Sequence, residues 1–213
     1  MATEQNITGT IPKPPNIYVI GAQSTGKTTL VSALDKYFEQ HRTYSSEPVP
    51  RPHIIKEVAR SVLREHQFTA DDIVNSKPRA LQLQRLILNA QSKAERSCCQ
   101  EWYITDRSGL DAVAYARRYV GNEEAKQLRQ EEAWQDVEKR IRKGVVIVCG
   151  VGGEWLMDDG IRVMPESRDD WVEIQSVFCA LLDELGMQCT ILPCSVRDLS
   201  SRVEFVIEQW KNR

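Results

Sequence analysis

The sequence predicts a doubly wound α/β fold, a five-stranded parallel sheet between two helical layers (three-layer α/β/α), and three observations carry that prediction. Short apolar runs alternate with amphipathic stretches along the chain of 213 residues. The runs are continuously apolar, the pattern of strands buried on both faces. The first of them enters a glycine-containing turn that leads directly into a helical stripe, as a strand–loop–helix unit requires. The length suits one core, and neither an internal repeat nor a second domain is visible.

Residues 1–15 are polar and contain "PKPP", so they read as a flexible tail ahead of a domain spanning 16–213. Ile17–Ile20 is the first strand. The first helix covers about Lys27–Glu39, with Leu30, Val31, Leu34, Tyr37 and Phe38 at helical spacing. "HRTYSSEPVPRP" is a loop by its Pro and Ser content. "HIIKE" is the second strand and leads into the helical "VARSVLREH". Thr69 and Asp72 have capping-box spacing. Pro78 suits the first turn of a long helix whose core stripe is expected at Leu81, Leu86, Ile87 and Ala90. "EWYITD" is the third strand, followed by a helical region over Leu110–Arg142 that breaks near Gly121. "VVIVCG" is the fourth strand and "VGGEWLMDDGIRVMPES" a loop. Ser167 and Asp170 open a helix whose face is Trp171, Ile174, Phe178, Leu181, Leu182 and Leu185, and Gly186 ends it. "CTILP" is the fifth strand. Ser195 and Asp198 are expected to cap a last helix with Leu199, Val203, Val206 and Trp210 on its apolar face.

The net charge of −2 supplies no global basic field for nucleic acid. Six cysteines without a C-x-x-C pair, and only three histidines, argue against structural zinc. Most of these cysteines read as small core residues. No basic-then-apolar leader or membrane-length run is seen, so a cytoplasmic protein with reduced thiols is expected.

"GAQSTGKT" fits G-x-x-x-x-G-K-[ST]. Gly21 and Gly26 allow backbone angles that turn successive amides around phosphate oxygens. Gly21, Ala22, Gln23, Ser24, Thr25, Gly26, Lys27, Thr28 and Thr29 thus form the nucleotide-binding stretch. Lys27 brings a cation to the β- and γ-phosphates of ATP, and the Thr28 hydroxyl is placed to ligate Mg²⁺. The helix that starts there adds its dipole.

Ligands of such a sheet lie at the carboxyl ends of the strands. Asp106 ends the third strand, placed to hold Mg²⁺ or to accept a proton from an attacking hydroxyl. Arg107 follows it. "DRSG" also fits the D-x-x-G of GTPases, but no guanine-reading N-K-x-D occurs. Glu57 and Arg60, three apart, share a helix face, as a plain surface ion pair also would. Glu47 and Asp111 compete for the acidic role. Arg162 and Arg168, in the loop after the fourth strand, are placed to close over a triphosphate, with Trp155 packing that loop.

"GAQSTGKTTL", "KEVARSVL", "LQLQRLILNAQSKAE", "ITDRSGLDAVAYA" and "WLMDDGIR", in this order, resemble the kinase-like AAA domain family related to the nicotinamide riboside kinase half of NadR, fungal members being the most similar. The resemblance runs from Asn16 onward. It implies the sheet of nucleoside- and nucleotide-kinase type and a Mg-nucleotide at Gly21–Thr28. It also implies that Glu57 and Arg60 face an acceptor pocket and that "DDGIR" lies in a lid over about residues 151–168. "EPV" and "DRS" distantly resemble deoxynucleoside kinases. No DNA-binding or adenylyltransferase part of the NadR kind is present, so a link to NAD metabolism does not carry over.

Two functions follow. A kinase would move the ATP γ-phosphoryl to a hydroxyl of a small nucleoside-like acceptor. Asp106 or Glu57 would orient that hydroxyl, and Arg107, Arg162 or Arg168 would stabilise the transition state. A polynucleotide 5′-hydroxyl is a variant acceptor that the weak charge disfavours. The other function is an ATP-dependent switch that engages a protein or lipid partner.

Overall fold

The computed structural model describes residues 13–41, 49–152 and 167–213. Residues 1–12 of the expected tail, most of the expected lid, and Glu47, Trp155 and Arg162 lie outside the described residues. The described end of the tail is held: Lys13 Nζ donates to Cys99 O at 3.0 Å, and Trp210 Nε1 to Pro15 O at 2.8 Å.

The five strands are β1 (Ile17–Ile20), β2 (His53–Ile55), β3 (Tyr103–Asp106), β4 (Val145–Cys149) and β5 (Thr190–Leu192). All pair in parallel, in the order β2-β3-β1-β4-β5. The chain leaves central β1 for one edge, returns through β3, then crosses to β4 and β5. The carboxyl end of β1 is therefore the switch point at which a ligand crevice opens.

Successive side chains of a strand point to opposite faces, and this splits the core in two. Ile17 and Val19, with Ile104, Val145 and Ile147, pack against α1 (Lys27–His41) and α9 (Leu199–Lys211). Tyr18 and Ile20, with Tyr103, Val146 and Val148, face the other layer. That layer holds α2 (Val58–Glu65), α3 (Ala70–Asn75), α4 (Lys77–Ser97), α5 (Gly109–Tyr119), α6 (Asn122–Leu128), α7 (Glu132–Ile141) and α8 (Arg168–Glu184).

The local signals hold where the chemistry is local. Thr69 and Asp72 form a capping box, Pro78 lies in the first turn of α4, and the Ser167 side chain accepts from Asp170 N. Several expectations need correction. The helical region after β3 breaks twice, at Gly121 and again at residues 129–131, giving α5, α6 and α7. Asp198 alone caps α9, accepting from Ser201 N, and Ser195 has no part in the cap; Leu199 is exposed. Only Cys98 and Cys149 are buried among the six cysteines.

The inner face of α4 differs most. It presents Leu83, Gln84, Ile87, Leu88, Gln91, Ser92 and Glu95, whereas Leu81, Leu86 and Ala90 are only partly covered. The buried polar groups have distant partners. Gln91 Nε2 donates to Glu95 Oε1 at 2.9 Å and to Thr105 Oγ1 at 3.1 Å. Glu95 Oε2 accepts from Tyr103 Oη and Arg140 Nε, each at 2.9 Å. Gln91 Oε1 is buried with no hydrogen-bond partner among the described residues. Held by the other bonds, polar side chains occupy a face that an apolar pattern alone would not assign to the core.

Candidate active site

β1 runs into a loop with three left-handed residues: Gly21 (φ +125°), Ser24 (φ +57°) and Gly26 (φ +76°). At Gly21 a Cβ would lie 3.0 Å from Cys149 O on neighbouring β4, so the close approach also demands glycine. Such alternation turns amides toward one point, and α1 begins at Lys27 with its N-terminus at the same place. Thr29, in the first turn, is exposed.

The buried Lys27 side chain folds back on the loop. Nζ donates to Ala22 O and lies 3.3 Å from Thr25 Oγ1, which itself donates to Ala22 O at 2.9 Å. Burial pushes the Lys27 amine from an ordinary 10.5 down to about 8. The Arg107 charge adds to that push, while Asp111, Cys149 and Asp106 oppose it. An anion in the loop would oppose both causes by favouring the charged amine.

Asp106 stands beside the loop because β3 pairs in register with β1, Val19 against Asp106. Thr28 Oγ1 donates to Asp106 Oδ2 at 2.6 Å. Among the described residues Asp106 Oδ1 is buried with no hydrogen-bond partner. A hydroxyl and an orphaned carboxylate oxygen at a phosphate site are a donor set that fits Mg²⁺, which prefers few hard protein oxygens.

Arg107 holds an uncommon left-handed backbone, φ +77°. Two bonds secure it: its N–H donates to Val19 O at 2.9 Å, and Thr105 Oγ1 donates to its carbonyl at 2.7 Å. The buried guanidinium donates through Nε to Glu57 Oε1 at 2.6 Å and through Nη1 to Asp111 Oδ1 at 3.3 Å. Burial disfavours its charge, but Glu57 first, then Tyr115, Asp111 and Asp106, outweigh burial and raise its pKa above the ordinary value. Glu57 begins α2 without capping it through its side chain, and its Oε2 accepts from Arg60 Nε at 2.7 Å. Asp111 is occupied as well: Oδ2 accepts from Ser108 N at 2.8 Å, closing the capping box of α5. Burial pushes the Asp111 carboxyl up against the opposing charges of Arg107 and Lys27.

Glu57, Arg107 and Asp111 form one wall of a half-open cleft. Leu63, Ile73, Leu83 and Ile87 supply apolar walls, and Gln23, Gln84, Gln91 and Tyr115 supply polar groups. Apolar walls with a few polar groups suit a small organic ligand. The Tyr115 hydroxyl donates to Gln23 Oε1 at 2.6 Å, which joins the cleft to the phosphate loop.

The expected residues thus divide. Glu57, Arg107 and Asp111 lie together, with Asp106 next in the chain and Arg60 held through Glu57. Arg168 stands apart at the start of α8, its Nη2 3.8 Å from where a Cβ of Gly152 would be. Sequence reasoning missed Gln84, Gln91 and Tyr115 in the cleft, and Trp171 and Arg202 behind the loop. Gln84 and Gln91 are seven apart, two turns of one helix face, and this spacing beside Leu83 and Ile87 is a signal that could have found them.

A family model described as an AAA domain matches residues 16–199. No curated protein matches the chain. A solved structure of NadR protein in complex with NAD and AMP-PNP is similar at 17% identity and TM-score 0.66, over 94% of this chain and 50% of that one. NadR protein in complex with NR gives 20% identity and TM-score 0.64, over 93% and 51%. Deoxyadenosine kinase from M. mycoides with bound dATP gives 15% identity and TM-score 0.62, over 92% and 99%. The chain spans about half the length of the two NadR chains. At these identities the likeness concerns the fold, the doubly wound sheet of the P-loop kinases.

Proposed function

The chain belongs to this AAA domain family, and from that premise we propose that it is a phosphotransferase moving the γ-phosphoryl of ATP to a hydroxyl of a small nucleoside-like acceptor. The observation that carries the reading is the continuous path from loop to cleft. Thr28 bonds Asp106, Arg107 follows in the chain, and Arg107 bonds Glu57 on the cleft wall. A donor phosphate in the loop and an acceptor in the cleft would then meet at Asp106. The AMP-PNP, NR and dATP named with the similar structures are consistent with a nucleotide donor and a nucleoside acceptor.

In this reading Lys27 and the loop amides hold the donor phosphates. Thr28 and Asp106 would hold Mg²⁺, which would neutralise phosphate charge. Glu57 orients the acceptor hydroxyl and takes its proton as the new O–P bond forms and the bond to the ADP oxygen breaks. Arg107, buried beside it, stabilises charge on the moving group. Arg60 fixes Glu57 from the rim, and Asp111 fixes Arg107. Arg168, at the start of α8, would add a further positive charge to the donor side.

Acceptor-dependent ADP release across a panel of nucleosides, with the product identified by mass, tests the proposal. Release that no acceptor accelerates would favour the nucleotide-gated switch. Release that needs a polynucleotide 5′-hydroxyl would change the acceptor class.

A further inference from the structure

The phosphate loop is gripped from outside by two residues distant in the chain. Trp171 on α8 donates its Nε1–H to Gln23 O at 2.9 Å, and Arg202 on α9 donates through Nη2 to Thr25 O at 3.0 Å. Both side chains are buried, Arg202 with 4% exposure. In a planar trans peptide the carbonyl and the next residue's N–H point in opposite directions. A Gln23 carbonyl held outward therefore sends the Ser24 N–H inward, and a Thr25 carbonyl held outward does the same for Gly26. Ser24 and Gly26 are the two interior loop residues with left-handed φ, the conformation in which alternate amides converge on an anion. A Cβ placed on Gly26 would lie 3.7, 3.8 and 3.9 Å from Arg202 Nη2, Cζ and Nη1. Such near-equal distances mean that the flat guanidinium lies against the loop at Gly26.

We propose that Trp171 and Arg202 are positioning residues that preform the phosphate-binding amides before any ligand arrives. Neither touches the phosphate. Each acts through a carbonyl whose orientation fixes the following amide, and Arg202 adds a desolvated positive charge behind the anion. The inference rests on the phosphate-loop part of the proposed function and not on the transfer step. A chain that bound polyphosphate tightly but transferred to no acceptor would retire the kinase and leave this inference standing.

The test is calorimetry of the full chain with inorganic tripolyphosphate, with adenosine as a phosphate-free control. Arg202→Met keeps the stem without donor or charge, and Trp171→Phe keeps most of the ring without its N–H. Each should weaken tripolyphosphate binding about tenfold and leave adenosine binding unchanged. Arg202→Lys, with a cation and a donor, should recover most of the loss. A purely structural role would lower the melting temperature while the folded protein kept its tripolyphosphate affinity, and that result overturns the proposal. If Arg202→Met does not fold, Arg202→Gln is read in its place. Wild-type affinity there, or failure of both to fold, would likewise overturn it, since the guanidinium would then hold the domain and not the loop.

Discussion

The phosphate loop and the cleft proposed to take an acceptor are linked through Asp106, bonded to Thr28, and its neighbour Arg107 on the cleft wall, yet they are built in opposite ways. The loop is one contiguous stretch, Gly21–Thr29, whose shape follows from left-handed residues and a helix start. The cleft gathers side chains from α2, α4 and α5, and its charged wall is a chain of ion pairs, Arg60–Glu57–Arg107–Asp111. Every charge on that wall has an opposite neighbour. The loop instead holds a lysine whose burial disfavours its charge. A contiguous anion site can serve any phosphate ligand. A dispersed, charge-balanced cleft selects by shape and by a few polar groups, so under the proposed function acceptor specificity would belong to the cleft.

Four measurements break or sharpen this contrast. The largest effect is expected where the two regions join. Asp106→Asn should lower turnover about 1000-fold and also weaken Mg–ATP binding, as kinetics and calorimetry together would show. Loss of turnover with untouched nucleotide affinity would assign Asp106 to the cleft alone. Next, Lys27→Ala should weaken Mg–ATP binding about 100-fold with the fold retained. Unchanged affinity would remove the phosphate-loop assignment.

The third measurement isolates the cleft. Glu57→Gln should reduce acceptor-dependent turnover about 30-fold while nucleotide affinity stays within about twofold of wild type. Because it removes one charge of a buried ion pair, it should also cost stability, on the order of 3 kcal/mol by denaturant titration. If nucleotide affinity falls as far as turnover does, the two regions are not separable.

The smallest effect is a proton. Lys27 has a folded pKa of about 8 against an ordinary 10.5. Between these values the unfolded chain holds a proton that the folded chain lacks. The nucleotide-free fold therefore carries the full penalty of this group below about pH 8 and loses it as pH rises toward 10.5. Phosphate binding favours the charged amine, so at pH 9 Mg–ATP binding should take up close to one proton. Calorimetry in two buffers of different ionisation enthalpy measures that uptake. The uptake should shrink toward pH 7, and its absence at pH 9 would mean that Lys27 is already charged in the empty loop.

The sequence by itself determined the strands, the doubly wound class and the position and glycine pattern of the phosphate loop. It also determined the Thr69–Asp72 capping box and the Ser167 cap. The strands, the caps and the loop's glycine pattern depend on residues within a few positions of one another, which backbone geometry links directly, and the class follows from the alternation of elements along the chain. It also brought Glu57, Arg60, Asp106, Arg107 and Asp111 forward together, because in a parallel sheet the carboxyl ends of the strands lie along one edge. Only the tertiary structure decided how the carboxylates are divided, Glu57 between two arginines and Asp111 between Arg107 and its own helix cap. Only the tertiary structure turned Gln84, Gln91 and Glu95 inward on α4. Gln91 needs Thr105 and Glu95 needs Arg140, partners that other elements deliver. It likewise set Trp171 and Arg202 behind a loop that lies 148 and 177 residues earlier in the chain. The physical reason is one of cost: a buried polar side chain is stabilised by the hydrogen bonds it finds, and which distant residue supplies them is fixed when the layers pack.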